Sequence, residues 1–244
     1  MKTIAIIPAR YASTRFPGKP LALLWGKPII QHVYERAAEA VEDVVVATDD
    51  ERILQTVSAF GGRAVMTSAD HRSGTDRIAE AARIVGTEAD IVVNLQGDEP
   101  FIRPQQISAL VECFRSPDVQ IATLATRFRT LEALENPNSP KIAVGDHGRA
   151  LYFSRSVIPY VRGRERADWL ASYPYLKHIG IYAFRRETLQ QVTRLPQSPL
   201  ELAESLEQLR WLAAGYQIAV AETEQETIGI DTPEDLEKAE KFGR

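Results

Sequence analysis

The chain of 244 residues has very little of several features, and each shortage excludes a class of protein. Cys113 is its single cysteine, so no disulfide can form within the chain. No apolar run approaches the roughly 20 residues of a membrane span. Only four apolar residues lie between Lys2 and Pro8, far fewer than a secretory signal needs. We therefore expect a soluble, cytoplasmic protein.

The chain also has no large excess of positive or negative charge. The chain has 29 lysines and arginines against 33 aspartates and glutamates, for a net charge of -4. A general nucleic-acid or membrane-surface binder needs a broad basic face. We therefore expect neither a nucleic-acid partner nor a membrane partner, and any anion-binding site must be local.

The first half of the chain alternates β-branched runs with helical patterns, which is typical of βαβ units. Strands are predicted at residues 3–7, 44–48, 64–66, 91–95 and 121–126. Nearly continuous apolar strands favour an α/β fold with a mainly parallel, doubly wound sheet. Ligands of such sheets collect at the carboxyl ends of the strands, so we expect the chemistry in the loops that follow them.

The rhythm changes after residue 140. Further strands are predicted at residues 142–144, 150–153, 178–184, 218–221 and 227–230, with an irregular basic stretch between the second and third of them. We predict one domain over residues 1–244. Its parts are a first region (1–140), an inserted lobe (141–199) and a return to the core (200–244).

Two capping patterns mark helices in the returning part. A Ser-x-x-Glu box at residues 198–201 predicts the start of one long amphipathic helix that ends at Gly215. Its apolar face would carry Leu202, Leu206, Leu209 and Leu212. A second box, at residues 231–235, predicts the start of the last helix.

The loop after the first predicted strand is basic. It carries Arg10, Arg15 and Lys19 within ten residues, together with Ser13 and Thr14. Arginine forks and a lysine ammonium suit phosphate oxygens. A solvated basic loop is the alternative, but the position after the first strand favours a polyphosphate. The chain has neither a Walker A motif nor a G-x-G-x-x-G fingerprint, which excludes the two commoner nucleotide motifs.

Two aspartates follow predicted strands. Asp98 comes after the strand at 91–95, where a carboxylate can hold Mg²⁺ against triphosphate oxygens. A turn aspartate that bonds its own backbone is the alternative. Asp231 precedes the last helix, and the residues alone favour a structural role, because a carboxylate beside a helix N-terminus is stabilising.

Other polar residues are candidates for contacts with the substrates. The loop at residues 67–77, with Thr75 as the predicted N-cap, could contact a base or a ribose, or could simply be exposed. Arg155, His178 and Tyr182 lie near predicted strands and could line a pocket for a hydroxylated, anionic acceptor. A strand histidine is, however, more often only hydrogen-bonded within the fold.

Nine segments together resemble one family, the 3-deoxy-manno-octulosonate (Kdo) cytidylyltransferases, also called CMP-Kdo synthetases. The resemblance covers nearly the whole chain. The segments are IPARYASTR (7–15), PGKP (17–20), ATD (47–49), SGTDR (73–77), QGDEP (96–100), ALYFSR (150–155), HIGIY (178–182), LEQLR (206–210) and GIDTPEDL (229–236).

The resemblance implies a fold like that of the nucleotide-diphospho-sugar transferases and a Mg²⁺-dependent reaction. CTP and Kdo would give CMP-Kdo and pyrophosphate, for the synthesis of lipopolysaccharide-type glycans. It also implies that the single domain is catalytic, that residues 1–140 mainly bind the nucleotide and that the inserted lobe at 141–199 binds the acceptor. The family is typically homodimeric, and the same lobe could supply the contact surface.

Roles for individual residues follow from the same resemblance. Arg10 and Lys19 would hold the triphosphate with Arg15 beside them, and Asp98 and Asp231 would coordinate Mg²⁺. Ser73 and Gly74 would lie near the cytidine. The residues expected around the sugar acid are Arg77, Gln96, Arg155, His178, Tyr182, Glu201 and Glu204. Arg155 is the expected partner of the sugar carboxylate, whereas the capping box alone explains Glu201.

Other functions stay open at this point. A nucleotidyltransferase of the same architecture could act on a sialic acid or a polyol phosphate. A nucleotide-binding regulator without catalysis is a second alternative, against which the presence of Arg10, Lys19, Asp98 and Asp231 together argues. A metal-dependent glycosyltransferase of related fold, with a sugar nucleotide as donor, is a third.

Overall fold

The structure is a computed structural model of the chain, and it describes residues 1–12, 15–226 and 229–242. Ser13 and Thr14 of the predicted phosphate loop lie outside the described residues. Thr227 and Ile228 of the last predicted strand do so too.

Strands and helices alternate along the described chain. The strands are β1 (Thr3–Ala9), β2 (Leu23–Leu24), β3 (Lys27–Pro28), β4 (Asp43–Thr48), β5 (Ala64–Met66), β6 (Ile91–Asn94), β7 (Ile121–Arg127), β8 (Lys141–Val144), β9 (Ala150–Ser154), β10 (Leu176–Arg185) and β11 (Ile218–Glu222). The α-helices are α1 (Ile29–Ala38), α2 (Glu51–Ala59), α3 (Gly74–Ile84), α4 (Pro104–Glu112), α5 (Leu131–Glu135), α6 (Trp169–Ser172), α7 (Arg186–Val192), α8 (Pro199–Glu204), α9 (Gln208–Ala213) and α10 (Pro233–Phe242).

The predicted strands up to residue 221 are all present, and their ends lie within two residues of the predicted ones. Among the described residues of the last predicted strand, Gly229 and Ile230 are not in a strand. No helix in the described part of the chain has the length and apolar character needed to cross a membrane.

The chain divides into two compact units. Unit 1 comprises the described residues of 1–111, 183–193 and 227–244, and unit 2 comprises residues 112–182 and 194–226. The predicted division at residues 140 and 199 stays a prediction.

Unit 1 contains a wholly parallel group of strands in the order β6, β1, β4, β5. Ile6 of β1 lies opposite Val45 of β4 and Asn94 of β6. Ile4, Ile6 and Ile7 are fully buried, as expected where a parallel sheet is covered on both faces. All four strands end at one edge, so the loops that follow them meet there. The predicted α/β fold with a mainly parallel sheet is confirmed.

Unit 2 combines a parallel pair, β7 with β11, and an antiparallel series in which β8 pairs with both β9 and β10. Its large buried side chains include Phe153, Tyr175 and Trp211. Lys141 is fully buried as well. Its ammonium donates to the carbonyl oxygens of Asn136 and Arg155, both at 2.8 Å.

The prediction of one long helix after residue 198 is wrong, because two short helices, α8 and α9, occupy this segment. The capping box is present, but α8 ends at Glu204 and Ser205 is left-handed, with φ 50° and ψ 48°. The guanidinium of Arg155 donates to the carbonyl oxygens of Glu204 at 2.7 Å and Ser205 at 3.3 Å. A continuing helix would use such carbonyls for its own amides. Leu202, assigned to the buried face, is 61% exposed.

Candidate active site

A cavity of about 270 Å³ lies in unit 1, where the loops after β1, β5 and β6 meet. Its lining contains all nine of the predicted site residues that belong to this unit. They are Arg10, Arg15, Lys19, Ser73, Gly74, Arg77, Gln96, Asp98 and Asp231. The cavity is therefore the candidate active site.

Tyr11 anchors the described part of the basic loop that follows β1. The amide of Gly18 donates to the carbonyl of Tyr11 at 2.9 Å, and Gly18 has a φ of 71°. The guanidinium of Arg52 lies 3.3 Å from the centre of the Tyr11 ring. Arg52 also holds the carboxylate of Asp50 through two nitrogens, at 2.9 and 2.6 Å. A Cβ at Gly18 would approach the Tyr11 ring to 3.0 Å, so both the backbone angle and the space favour glycine.

Lys19 connects the two acidic residues of the cavity. Its ammonium lies 2.5 Å from Oδ2 of Asp98 and 3.2 Å from Oδ1 of Asp231. The guanidinium of Arg15 bonds both carboxylate oxygens of Asp231 at 3.2 Å. The Lys19 side chain is only 12% exposed, against 47% for Asp231. Asp98 and Asp231 lie 79 and 212 positions after Lys19 in the chain, yet both contact its ammonium.

The start of α10 explains why Asp231 is available to these cations. The second predicted capping box is confirmed: the hydroxyl of Thr232 accepts from the amide of Asp235 at 3.2 Å. The Asp235 carboxylate accepts from the amides of Asp231 and Thr232 at 3.3 and 3.1 Å. The carboxylate that accepts from these amides is therefore that of Asp235, and the carboxylate of Asp231 pairs with Lys19 and Arg15. The amide of Ile230 donates to the carbonyl of Asp98 at 2.9 Å, which ties the two acidic segments together.

The Asp98 loop also lies very close to the end of β1. A Cβ at Gly97 would approach the carbonyl oxygen of Pro8 to 2.9 Å, a distance that Cβ atoms essentially never show. Glycine is therefore required at this point for the backbone of one loop to reach the other. The close approach brings Gln96 and Asp98 to the same cavity as Arg10.

The two carboxylates suit a divalent cation. Mg²⁺ is usually held by one or two carboxylates together with substrate phosphates and waters, rather than by a cage made only of protein atoms. Asp98 and Asp231 converge on one ammonium, so they can converge equally on a metal ion. Within residues 1–12, 15–226 and 229–242 there is no group of three or more His, Cys, Asp or Glu residues that could hold a metal. A site made only of protein ligands is therefore not seen in this part of the chain.

The loop after β5 ends at the N-cap of α3, which is not the residue predicted from the sequence. Ser73, and not Thr75, is the N-cap of α3, and its hydroxyl accepts from the amide of Asp76 at 3.1 Å. Arg77, in the first turn of α3, is buried. Its guanidinium donates to Asp49 at 2.6 Å and to the hydroxyl of Thr67 at 2.7 Å. Arg77 thus borders the cavity with its charge already paired.

Unit 2 holds the other predicted site residues, and two of them form one cluster. The carboxylate of Glu204 accepts from the hydroxyl of Ser154 at 2.6 Å and from the amide of Arg155 at 2.8 Å. The Arg155 guanidinium donates to the carbonyls of Glu204, Ser205 and Pro137. Every nitrogen of that guanidinium is engaged with the backbone of unit 2.

His178 and Tyr182 lie on β10 in an aromatic group with Phe153 and Trp211. The Thr123 hydroxyl has one proton, which it can donate to the carbonyl of Ile181 at 2.8 Å. It then accepts from Nε2 of His178 at 3.0 Å. Burial lowers the pKa of His178 to about 3, so the ring is neutral at physiological pH. Burial, together with the nearby Glu207, raises the pKa of Tyr182 well above its usual value.

Glu201 is engaged entirely within unit 2. One of its carboxylate oxygens accepts from the amide of Ser198 at 3.2 Å, as the capping box requires. The other lies 3.0 Å from a nitrogen of Arg210 and 3.4 Å from the amide nitrogen of Gln197. These partners account for its burial without a substrate.

Six lining residues were not assigned from the sequence: Pro8, Ala9, Pro20, His71, Arg72 and Gly97. His71 and Arg72 fall in the loop at 67–77, which was recognised only as a whole. The carboxylate that pairs with His71 is Glu80, nine positions further on, and no motif in the sequence marks that pair.

The fold and the cavity are those of a nucleotidyltransferase, and comparison with known proteins defines the family. A sequence profile described as Cytidylyltransferase matches residues 4–228. The chain is 59% identical over 246 residues to the 3-deoxy-manno-octulosonate cytidylyltransferase of Parabacteroides distasonis, covering 99% of this chain and 98% of that one. It is 60% identical over 245 residues to that of Phocaeicola vulgatus, covering 99% and 97%.

A solved structure agrees with these sequence matches. CMP:2-keto-3-deoxy-manno-octonic acid synthetase, solved in complex with CTP, is 48% identical and superimposes with a TM-score of 0.92, covering 100% of this chain and 98% of that one. The chain belongs to the cytidylyltransferase family and, within it, to the 3-deoxy-manno-octulosonate cytidylyltransferases.

Proposed function

We propose that this chain couples CTP to Kdo, giving CMP-Kdo and pyrophosphate, which is the activity named for its relatives. The observation that carries the proposal is the bridge from Lys19 to Asp98 and Asp231 inside a cavity that Arg10 and Arg15 also line. Such an arrangement provides both the cations and the carboxylates that a metal-bound triphosphate requires.

The basic residues of the cavity would bind and orient the triphosphate. Arg10, Arg15 and Lys19 can pair with its oxygens and offset their charge. A bound triphosphate would compete with Asp98 and Asp231 for the same cations. In that exchange Lys19 and Arg15 would turn towards the phosphates, and both carboxylates would be released. Ser73 and Gly74, at the N-terminus of α3, are proposed to lie near the cytidine.

The released carboxylates are proposed to hold Mg²⁺. When bound, the metal would neutralise charge on the phosphates and polarise the phosphorus under attack. The anomeric hydroxyl of Kdo would attack the α-phosphorus of CTP in line. The new bond would join that oxygen to phosphorus, the bond to the β-phosphate would break, and the hydroxyl proton would pass to solvent. Catalysis of this kind depends on positioning and on charge stabilisation, not on a covalent protein nucleophile.

The residues proposed to contact the sugar acid differ in the partners that they already have. Gln96 lines the cavity and can reach a substrate there directly. Arg77 would first have to share its charge between Asp49 and the sugar acid. Arg155, as the partner of the sugar carboxylate, would have to give up at least one backbone carbonyl.

Other residues proposed to contact the sugar acid also lie in unit 2. The carboxylate oxygens of Glu204 could also accept from sugar hydroxyls. The ring of His178 and the hydroxyl of Tyr182 are proposed to contact the sugar acid. Glu201 is retained as a proposed contact, although its present partners explain its position. A homodimer and a cytoplasmic location complete the proposal.

Pyrophosphate release from CTP tests the proposed function directly. Purified protein would be assayed with Kdo, a sialic acid and a polyol phosphate, each with Mg²⁺ and with a chelator. We expect release with Kdo and Mg²⁺, and at most slow release with the other acceptors. Release only with a sialic acid would overturn the choice of acceptor, and CTP binding without release for any acceptor would favour a binding protein.

A further inference from the structure

The segment between β5 and α3, residues 67–73, forms one wall of the active-site cavity although it has little hydrophobic support. Residues 68–70 are exposed, whereas His71 and Ser73 are half-buried and line the cavity with Arg72. An exposed polar loop without a packed core adopts many conformations unless hydrogen bonds restrict it. The shape of this wall must therefore depend on its polar contacts.

Glu80 supplies two of those contacts. One oxygen of its carboxylate accepts from the amide of Ser68 at 2.8 Å and from Nε2 of His71 at 2.5 Å. A carboxylate of this kind only accepts, so Nε2 of His71 is the protonated nitrogen. Burial opposes the charge of Glu80, yet the bonds from His71 and Ser68 keep the pKa of Glu80 below its usual value.

The contacts of Glu80 belong to a larger set made by α3. Arg77, one turn earlier on the same helix, bonds the hydroxyl of Thr67, and Ser73 caps the helix. The loop is thus attached to α3 at three points along the loop: at Thr67 near its start, at Ser68 and His71 in its middle, and at Ser73 where it ends. Glu80 holds the middle through the amide of Ser68 and the ring of His71.

We infer that Glu80 is a positioning residue for the nucleotide, which it serves by holding His71 and the Ser68 amide so that residues 71–73 keep the shape of the cavity wall. The inference rests on the proposed function and deepens it. Glu80 acts on the wall through His71 and needs no contact with the nucleotide. His71 donates its Nε2 proton to Glu80, and this bond holds the ring in place.

Two substitutions of His71 separate positioning from direct contact with the nucleotide. The amide nitrogen of glutamine comes close to the position of Nε2, so His71→Gln should keep the bond to Glu80. The amide of asparagine comes closer to Nδ1, so His71→Asn should lose that bond while it keeps polar atoms near the backbone. Glu80→Gln keeps an acceptor oxygen, and Glu80→Leu removes it.

The test measures CTP binding without acceptor by calorimetry, together with kcat and KM in the complete reaction. We expect Glu80→Leu and His71→Asn to weaken CTP binding about tenfold and to raise KM for CTP similarly, with kcat changed less than about threefold. Glu80→Gln and His71→Gln should stay within about threefold of wild type. Glu35→Leu, which removes an ion pair between Glu35 of α1 and Lys27 of β3, is the matched control and should bind CTP normally.

The outcomes are distinguishable from failure of the proposed function. If the wild-type protein does not bind CTP, the proposed function is wrong. If it binds CTP and Glu80→Leu binds equally well, the positioning role is wrong. Tolerance of His71→Asn together with a large loss in His71→Gln would replace positioning by a direct contact from His71. Thermal unfolding of every variant, including Glu35→Leu, identifies any loss that comes from general instability.

Discussion

Charged residues in the cavity of unit 1 and in the Arg155 cluster of unit 2 use their hydrogen bonds in opposite ways. In the cavity, Lys19 pairs with carboxylates that are partly exposed and can be exchanged for ligand atoms. In unit 2, Lys141 and Arg155 donate to backbone carbonyls, which join separate segments of the chain. Exchangeable side-chain partners indicate a binding site, whereas backbone partners indicate that the same residue type supports the fold.

The largest expected effect comes from the carboxylates of the cavity. Asp98→Asn and Asp231→Asn should each lower kcat by about a hundredfold or more, because the charge proposed to hold the metal, which also balances Lys19, is lost. Both side chains lie at the cavity and outside the hydrophobic core, so the folded state should persist. Pyrophosphate release measures the first effect and thermal unfolding the second.

Asp43→Asn is the matched control for these two variants. Asp43 pairs with Arg63 and does not line the cavity. This variant should keep its activity. Near-normal turnover in either Asp98→Asn or Asp231→Asn would contradict the metal assignment.

A pair of arginine variants tests the contrast itself. Arg155→Met removes donors from three backbone carbonyls and should lower the free energy of unfolding by about 3 kcal/mol. Arg15→Met removes a side chain that is 66% exposed, and its effect on unfolding should be within about 0.5 kcal/mol. Urea unfolding gives both values.

The kinetics of the same variants complete the contrast. Arg15→Met should raise KM for CTP, since Arg15 is proposed to face the triphosphate. Equal stability losses for the two arginine variants would show that the contrast between exchangeable and structural partners does not hold. A higher KM for Kdo in a folded Arg155 variant would support the proposed contact with the sugar carboxylate.

The smallest expected effect is a pH dependence of stability that comes from His178. Its pKa is about 3 in the folded protein and about 6.5 when unfolded, so the unfolded chain binds more protons between these values. The contribution is complete above pH 6.5 and is lost as the pH falls, by up to about 1.4 kcal/mol per pH unit. His178→Gln, which can still donate to Thr123, should lack this slope.

Urea unfolding of wild type and His178→Gln at pH 7, 6 and 5 measures the difference between the two proteins. The comparison cancels the titration of carboxylates that both proteins share. Parallel stability curves would contradict burial of a neutral His178 in unit 2.

The strands were predictable because their physical signal is local. A β-branched run such as residues 44–48 must be buried on both faces of a parallel sheet, and each structured end lies within two residues of the predicted one. The basic loop after β1 and the aspartate after β6 were also predictable, since both follow strands whose carboxyl ends meet. The residue types alone allowed a polyphosphate at the basic loop and Mg²⁺ at Asp98, whereas the cytidine, the sugar acid and a metal at Asp231 followed only from the resemblance to a family.

The errors have tertiary causes. The helical pattern continues past Ser205, but Arg155, 50 positions away, takes the carbonyl of Ser205, and the helix ends. Thr75 is a good capping residue, yet Ser73 caps α3 because the loop before it is attached to Glu80 and to Thr48. Neither contact is visible in a local window of sequence.

The sequence by itself determined the alternation of strands and helices and therefore the edge of the sheet where a site must lie, because hydrophobic periodicity acts over a few residues. Tertiary structure alone decided that Asp231 meets Lys19 and that Arg155 bonds the backbone where α8 ends. Each of these outcomes is a choice among several available hydrogen-bond partners, and that choice depends on which distant segments the folded chain brings within about 3 Å of each other.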